Sequence, residues 1–210
     1  MFMLLGLVFR GVAFEFRFKA KDHKRHIWDK AFIGGSVAAT FFQGVALGAF
    51  IEGIPVEGRA FSGGSLDWLA PFPLFSGLGL IAAYALLGCT WLIMKTEGRL
   101  QKQMHDLARP LALALLAVIG VVSLWTPLSQ PGIAERWFTL PNLFWFAPVA
   151  ILVLASFFYL LRSVANYDNS KPFVLTLVLI FLGYSGLGIS LWPNICLLYT
   201  SDAADEGLGV

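Results

Sequence analysis

The sequence predicts an all-α fold, a polytopic bundle of transmembrane helices. Of the 210 residues, 58% are hydrophobic and only 13% are charged, whereas a soluble domain carries about 25% charged residues. The apolar residues gather in five continuous runs, and the basic residues alternate between the segments that join them. This composition excludes a disordered chain, a disulfide scaffold, and nucleic-acid binding as a main role.

Five full spans are predicted, since each apolar run approaches the roughly 20 helical residues that cross a bilayer. The runs are continuously apolar, whereas the wall of a β-barrel alternates between apolar and polar residues. A helix also satisfies its own backbone hydrogen bonds in lipid. We expect the spans at about residues 31–51, 72–94, 110–128, 142–162 and 172–192.

Both ends of the chain depart from this pattern. Residues 1–16 are apolar but too short to span unaided, so we expect the C-terminal part of a helix that begins before Met1, in a piece of a longer protein. Residues 196–210 are acidic and resemble translated sequencing-adapter sequence. We therefore expect the bundle to occupy residues 1–195 and the tail, 196–210, to be non-native.

The basic residues predict the orientation of the bundle. Segments 17–30, 95–109 and 163–171, the last with its flank, carry 6, 4 and 2 Lys or Arg residues, whereas 52–71 and 129–141 carry one each. Cytoplasmic loops of membrane proteins carry an excess of Lys and Arg. The first three segments are therefore expected in the cytoplasm, and the other two outside.

Small residues indicate where the helices pack, because they let backbones approach closely in lipid. Gly44 and Gly48 form a small-xxx-small pair, as do Gly79 and Ala83. The last span is crowded with glycines at positions 183, 186 and 188. This pattern predicts a packed bundle and no particular function.

The residues that could hold a metal or haem lie outside the predicted spans. His23, His26 and His105 all fall in predicted cytoplasmic connectors, and the spacing of the first two amid lysines is typical of a solvated loop. Haem in a membrane bundle usually takes an axial ligand from within a helix. No histidine lies in a predicted span, which leaves Met94 and Cys89 as the candidate ligands there. We therefore expect no haem ligation by this chain, and we assign no catalytic residue and no metal ligand.

The candidate site consists of charged residues where an apolar helix meets the first basic segment: Arg10, Glu15 and Arg17. A charge at the edge of a span snorkels, pairs or faces a polar cavity. Arg10 is either an interfacial anchor or a contact for an anionic group, such as a haem propionate, a quinone head group or a partner carboxylate. Glu15 either pairs with Arg10 or Arg17 or takes part in proton uptake.

Asp29, which directly precedes the first full span, is the fourth candidate. It is either a helix N-cap, or a charge that favours the positive end of the helix, or a residue that takes up protons.

Five motifs together resemble subunit II of cytochrome bd-type quinol oxidases, including the cyanide-insensitive branch. The FRGVAFEFR box, WD before a helix and KTEG after one are jointly specific, and the resemblance covers residues 1–195. The motifs are GLVFRGVAFEFRFK (6–19), WDKAFIGGS (28–36), GVALGAFIEGIPV (44–56), TWLIMKTEGRLQ (90–101) and IFLGYSGLGISLWPNI (180–195).

The resemblance implies an accessory subunit in the bacterial cytoplasmic (inner) membrane, within a respiratory complex that oxidises quinol and reduces dioxygen to water. It would pair with subunit I, which would hold most of haems b and d, and would support haem assembly and the access of protons and oxygen; a quinone is a further candidate ligand. The resemblance places Arg10 in the haem environment or at a partner contact. It places Glu15, Arg17 and Asp29 on a proton path or at a partner contact.

The chain departs from the family's pattern, because the earlier helices with DGFD-like and WDGN-like motifs, and the sequence beyond the WPN segment, are absent. Alone it is therefore expected to be inactive. The alternative is a transporter or channel subunit, favoured weakly by Pro148 and the glycine-rich last span but opposed by the lack of mid-span acids and bases. A third alternative is a structural membrane subunit with no ligand of its own.

Overall fold

The computed structural model describes residues 1–53, 56–57, 60–61, 64, 67–129 and 142–191. Nearly all of the predicted outer segment 129–141, and the whole tail 196–210, lie outside the described residues. Within them the chain forms α1 (Phe2–Lys19), α2 (Arg25–Glu52), α3 (Pro71–Lys95), α4 (Arg99–Ser129), α5 (Asn142–Ala165) and α6 (Lys171–Leu191).

The predicted all-α membrane fold is confirmed. Five helices of the described chain, α2 to α6, are long and apolar enough to cross a membrane. Each predicted span lies within one of these helices, except that the last span extends one residue beyond the end of α6. The chain is therefore a multi-pass membrane protein with five candidate spans. Helix α1 has 18 residues and corresponds to the sixth, short apolar stretch.

The connectors between helices are shorter than predicted. Residues 20–24 join α1 to α2 through a 3-10 turn at Asp22–Lys24, residues 96–98 join α3 to α4, and residues 166–170 join α5 to α6. The helices continue past their last apolar residue because Arg, Lys, Gln and Glu are good helix formers and their long side chains reach the headgroup level. Gly98, with φ of 72°, supplies the left-handed residue that the α3–α4 turn needs.

A small β-hairpin lies in the predicted outer segment 52–71. Strand β1 (Val56–Glu57) pairs antiparallel with β2 (Ala60–Phe61), with Val56 opposite Phe61. Two-residue strands leave no apolar alternation to read from sequence, so hydropathy predicted only a connector here.

The chain divides into two compact units, Met1–Ala85 and Leu86–Val210. In the first, a Cβ atom added to Gly44 would lie 2.7 Å from the Cα of Gly77, and one added to Gly48 would lie 2.6 Å from the Cα of Pro73. The predicted small-residue contact at Gly44 and Gly48 is therefore confirmed as the crossing of α2 with the start of α3. Gly79 and Ala83 are also buried.

The second unit contains the end of α3 and helices α4 to α6. Its core includes the fully buried Leu86, Ile93, Leu160 and Leu179. In the last helix, a Cβ on Gly186 would meet Val149 of α5 at 3.7 Å, whereas Gly183 and Gly188 face open space. The glycines of α6 thus mark one ordinary van der Waals contact rather than a closely packed crossing.

Candidate functional site at the α1–α2 turn

Helices α1 and α2 form an antiparallel hairpin held by close backbone contact. A Cβ on Gly6 would lie 2.9 Å from both the Ala39 nitrogen and the Gly35 oxygen, and a Cβ on Gly35 would lie 2.8 Å from the Gly6 oxygen. Ala13, further along α1, is only 1% exposed. Small residues on the facing sides of α1 and α2 therefore set the separation of the two helices. The charged candidates lie on the same two helices, around this glycine seam.

Arg17 and Asp29 form an ion pair across the turn, with Nε and Oδ1 2.5 Å apart. Each side chain is 46% exposed. Their neighbours Phe16 and Trp28 stack with ring centroids 5.1 Å apart. The pair therefore lies at the rim of the hairpin, over an aromatic contact that aligns the two helix ends.

Glu15 pairs with Lys19, with 2.9 Å between Oε1 and Nζ. The expectation that Glu15 pairs with Arg10 or Arg17 is wrong. Residues four apart lie on one face of a helix, whereas Arg17, two residues on, projects toward the other side. Glu15 and Arg17 thus belong to two separate pairs, one within α1 and one between the helices.

Arg10 lies against an aromatic ring, with its Cζ 5.3 Å from the centroid of Phe32 in α2. This is a cation–π geometry. No carboxylate pairs with Arg10 in the described part of the chain, and its side chain is exposed. Phe32 positions the guanidinium while leaving its charge uncompensated.

Asp29 is not an N-cap. Helix α2 begins at Arg25 with Lys24 at the N-cap position, so Asp29 lies in the second helical turn. The expectation failed because the sequence places the start of α2 at its first apolar run, whereas the charged residues before that run are already helical. Asp29 still lies close to the positive end of the helix dipole.

The four candidates therefore differ in charge balance. Glu15 and Lys19 neutralise each other, as do Arg17 and Asp29, whereas Arg10 keeps a net positive charge. Seven residues separate Arg10 from Arg17, which is two turns or about 10 Å along one face of α1. Among the four candidates, Arg10 is therefore the one whose charge is not balanced by an ion pair, and it lies deeper along the hairpin than the two pairs near the turn.

His105 is a residue that the sequence interpretation placed wrongly. It lies within α4, not in a connector, and is only 4% exposed. Its ring centroid is 4.9 Å from that of Tyr167. The signal was present in the sequence: Ala108, Ala112 and Leu115, at spacings of 3, 7 and 10 residues from His105, form the buried stripe of the same helix.

His105 and Cys89 both lie within helices and are both buried. Both ring nitrogens of His105 are inaccessible to solvent, and its ring packs against that of Tyr167. The Cys89 thiol donates to the Met104 carbonyl at 3.1 Å and is buried. We assign no haem ligand among the described residues, and no group of three metal-ligating side chains occurs among them.

Comparison with known proteins relates the chain to one family. Residues 1–204 match the family described as cytochrome bd terminal oxidase subunit II. The chain is 28% identical over 136 residues to cytochrome bd-I ubiquinol oxidase subunit 2 of Escherichia coli K12, covering 62% of this chain and 36% of that protein.

A second relative matches over a longer stretch. The chain is 23% identical over 207 residues to cytochrome bd ubiquinol oxidase subunit 2 of Bacillus subtilis 168, covering 97% of this chain and 59% of that protein. The chain therefore spans between about a third and three-fifths of the length of these curated relatives.

Proposed function

The chain belongs to the cytochrome bd terminal oxidase subunit II family, and from this we propose that it is part of an accessory subunit of a respiratory quinol oxidase. The complex would couple quinol oxidation to the reduction of dioxygen to water. The observation that carries the proposal is the family match over residues 1–204, which includes both the charged hairpin and the late helices. Family membership favours an oxidase subunit over the transporter alternative.

We propose that the partner is a haem-bearing subunit I, which would hold haems b and d. The absence of an accessible axial ligand at His105 and Cys89 supports this division of labour. This chain's own contribution would be structural and electrostatic: a rigid hairpin that offers a cation to the partner. A quinone site in this chain has no supporting contact in the described residues, and we do not assign one.

Arg10 is the residue that we propose contacts the partner. A guanidinium recognises carboxylates through paired N–H donors, and the geometry over Phe32 holds it while its charge stays uncompensated. The acceptor would be a carboxylate, either a partner side chain or a haem propionate. Both acceptors would bind the guanidinium in the same way. Replacement of Arg10 distinguishes them, because haem content should fall first if the acceptor is a propionate and subunit association should fall first if it is a partner side chain.

For Glu15, Arg17 and Asp29 we propose partner contact rather than a proton path. Glu15 and Arg17 are exposed and Asp29 is partly exposed, and each is already engaged in an ion pair. Exposed pairs at the rim are instead available for charge contacts with a neighbouring subunit.

We further propose that the chain lies in the bacterial cytoplasmic membrane with the α1–α2, α3–α4 and α5–α6 connectors in the cytoplasm. The exposed Lys21, Lys24 and Lys30 around the first connector support this orientation. The lipid bilayer would cover the exposed apolar residues of the spans, such as Leu152 and Phe181.

The decisive experiment is co-expression of the full-length parent protein with the membrane subunit encoded beside its gene, followed by affinity purification through a tag on this subunit. We expect a larger subunit to co-purify, and the complex to show d-type haem absorption and quinol-dependent oxygen consumption. A parent protein that purifies alone and colourless would overturn the proposal.

Replacement of Arg10 tests the site within that complex. We expect Arg10→Ala to lower haem content or subunit association several-fold, and Arg10→Lys to restore part of it because the charge returns without the paired donors. Lys24→Ala, which removes an exposed cation from the connector, is the matched control and should be silent. An Arg10→Ala complex with full association, haem content and turnover would make Arg10 an interfacial anchor.

A further inference from the structure

The turn between α1 and α2 carries more basic side chains than its acids balance. Residues 15–30 hold six Lys or Arg and three Asp or Glu, a net charge of +3. Each acid is already paired with a base: Glu15 with Lys19, Asp29 with Arg17, and Asp22 with Arg25. The other bases are exposed and form no ion pair within the part of the chain that the structure describes: Lys21, Lys24 and Lys30.

Two of these lysines lie on an exposed side of α2. Ile27, Lys30, Gly34 and Val37 follow one another at spacings of 3, 4 and 3 residues, which places them on one face of the helix. All four are exposed, Ile27 by 52% and Val37 by 46%. Lys24, the residue before α2, precedes Ile27 by three residues and extends this face at its charged end. We call these five residues the open face of α2.

Gly34 leaves bare backbone in the middle of the open face. A Cβ atom at this position would meet nothing within 4 Å, so the space above the backbone is open among the described residues. Glycine inside a helix is destabilising relative to alanine, and it is the usual residue where another molecule approaches the backbone closely. The contact with α1 does not use Gly34, because α1 packs on Gly35 and Ala39.

The order of residues along the open face corresponds to the layers of a bilayer. Lys24 and Lys30 lie where α2 leaves the turn, and Gly34 and Val37 lie roughly 6 and 10 Å beyond Lys30 along the helix axis. Helix α2 is one of the candidate spans, and lysines near the end of a span extend their ammonium groups to the headgroup level. The glycine and the valine then lie at the level of the acyl chains.

We propose that the open face of α2 binds an anionic phospholipid. The phosphate is held by the ammonium groups of Lys24 and Lys30, with Lys21 adding to the attraction. One acyl chain runs over the bare backbone at Gly34 and along Val37. Clusters of basic residues beside a membrane span attract anionic lipids in this way.

Charge and position favour a lipid over a protein partner as the occupant. The carboxylates around the turn are all paired with bases, so the three lysines need anions from outside the hairpin. A phospholipid supplies a negative headgroup and an apolar chain in the order in which the open face presents cations and apolar surface. Ala39, which contacts α1, lies about 140° around the helix from Gly34, so the open face is turned away from α1 and from Arg10.

Photocrosslinking of the full-length protein in nanodiscs tests the proposal. The probes are a photoreactive phosphatidylglycerol, which is anionic, and a phosphatidylcholine with the same reactive group, which is zwitterionic. We expect phosphatidylglycerol to label residues 24–37 roughly tenfold more than phosphatidylcholine, since each lysine near the membrane surface strengthens the attraction about fivefold. Added salt should reduce the preference, because it screens the charges.

Two pairs of variants separate the headgroup contact from the acyl-chain contact. Lys24→Gln combined with Lys30→Gln should lower phosphatidylglycerol labelling several-fold, whereas Arg99→Gln combined with Lys102→Gln removes the same charge from exposed positions of the second unit and should preserve it. Gly34→Phe should lower labelling with every lysine in place, because the ring occupies the path of the chain. Gly11→Phe adds the same ring at an open position of α1 and is the matched control.

Equal labelling of residues 24–37 by the two lipids would overturn the proposal, as would unchanged labelling after both lysines are replaced. A photoreactive amino acid at position 27 that crosslinks to a second protein chain instead of lipid would also overturn it, since a partner would then cover the open face. Lipid labelling depends on α2 crossing a membrane and on no haem or oxygen consumption. The proposal therefore stands or fails separately from the proposed oxidase function.

Discussion

Arg17 and Asp29 are joined across the turn between α1 and α2, with Nε and Oδ1 2.5 Å apart. The pair connects the last turn of one helix to the second turn of the next, immediately beside the stacked rings of Phe16 and Trp28. Both side chains remain about half exposed, so water screens the attraction. The pair therefore sets the alignment of the hairpin more than its stability.

We predict a modest coupling energy for this ion pair. A double-mutant cycle with Arg17→Gln and Asp29→Asn should give about 0.5–1 kcal/mol in the unfolding free energy of the full-length protein, since exposed pairs rarely exceed this range. The coupling should fall as salt is added. A parallel cycle with Lys19→Gln and Glu15→Gln should give about 0.3–0.5 kcal/mol, as for pairs within one helix. A large, salt-independent coupling for Arg17 and Asp29 would show that the pair is desolvated.

The glycine seam of the hairpin offers a sharper test. A Cβ on Gly35 would lie 2.8 Å from the Gly6 oxygen and 3.0 Å from the Arg10 nitrogen. These are backbone atoms, so no side-chain rotation relieves the clash, and Gly35→Ala should cost about 1–3 kcal/mol. The neighbouring Gly34 meets nothing within 4 Å, and Gly34→Ala should stabilise the helix by about 0.5–1 kcal/mol.

Thermal melting of the two glycine variants in the same detergent gives the measurement. The melting temperature should fall for Gly35→Ala and stay level or rise for Gly34→Ala. Equal effects at both positions would mean that helix propensity, and not the crossing of α1 and α2, decides the outcome. If the proposed haem-bearing complex forms, any loss of its haem content should occur in Gly35→Ala and not in Gly34→Ala.

The acid behaviour of the α5–α6 connector is a third prediction. The Ser163 hydrogen bond, Lys171 and the charge of His105 lower the pKa of Asp168 from its ordinary value of 3.8. Because the folded-state pKa is depressed, the stabilisation is present above pH 3.8 and is lost as the pH falls through the lowered pKa. Hydrogen exchange between pH 2.5 and pH 5 should show the connector opening only at the acid end.

Ser163→Ala removes the largest cause of that shift. We expect the pKa of Asp168 to rise back toward its ordinary value, so that the connector opens at higher pH than in the parent. Ser36→Ala is the control, because the Ser36 hydroxyl donates to the Phe32 carbonyl of its own helix and contacts no ionised group. If the midpoint pH of connector opening is unchanged in Ser163→Ala, the Ser163 hydrogen bond is not the main cause of the lowered pKa of Asp168.

Hydropathy predicted the spans because it sums a large transfer free energy over some 20 residues, so that single misplaced residues matter little. The helix ends were missed because a charged residue that continues a helix contributes nothing to an apolar pattern. His105 is the clearest case. Its place on the stripe with Ala108 and Ala112 is readable from spacing, but the basic residues around it favoured a connector.

The pairing of charges was less predictable than the helices that carry them. Glu15 with Lys19 follows from helical spacing alone, whereas Arg17 with Asp29 depends on how two helices fold back on each other. The Gly44 and Gly48 crossing was readable because both residues lie on one helix four apart. The Gly6 and Gly35 contact joins single glycines of different helices, and no local spacing reveals it.

The orientation of the spans gives the last prediction. Single cysteines at Lys21 in the α1–α2 turn, Glu97 in the α3–α4 turn and Gly64 in the outer segment replace exposed residues, in a background that lacks Cys89 and Cys196. A membrane-impermeant maleimide applied to intact spheroplasts should label Gly64→Cys only. Permeabilised membranes should label all three, because in the proposed orientation the basic connectors lie in the cytoplasm.

Lys21 and Gly64 bracket α2, and Gly64 and Glu97 bracket α3. Opposite labelling across each helix is therefore required if both helices cross the membrane. The reverse pattern, with Lys21 and Glu97 labelled from outside, would keep the spans but invert the orientation. Labelling of Lys21 and Gly64 from the same side would remove α2 as a span, which its 28 residues and apolar character make the least expected outcome.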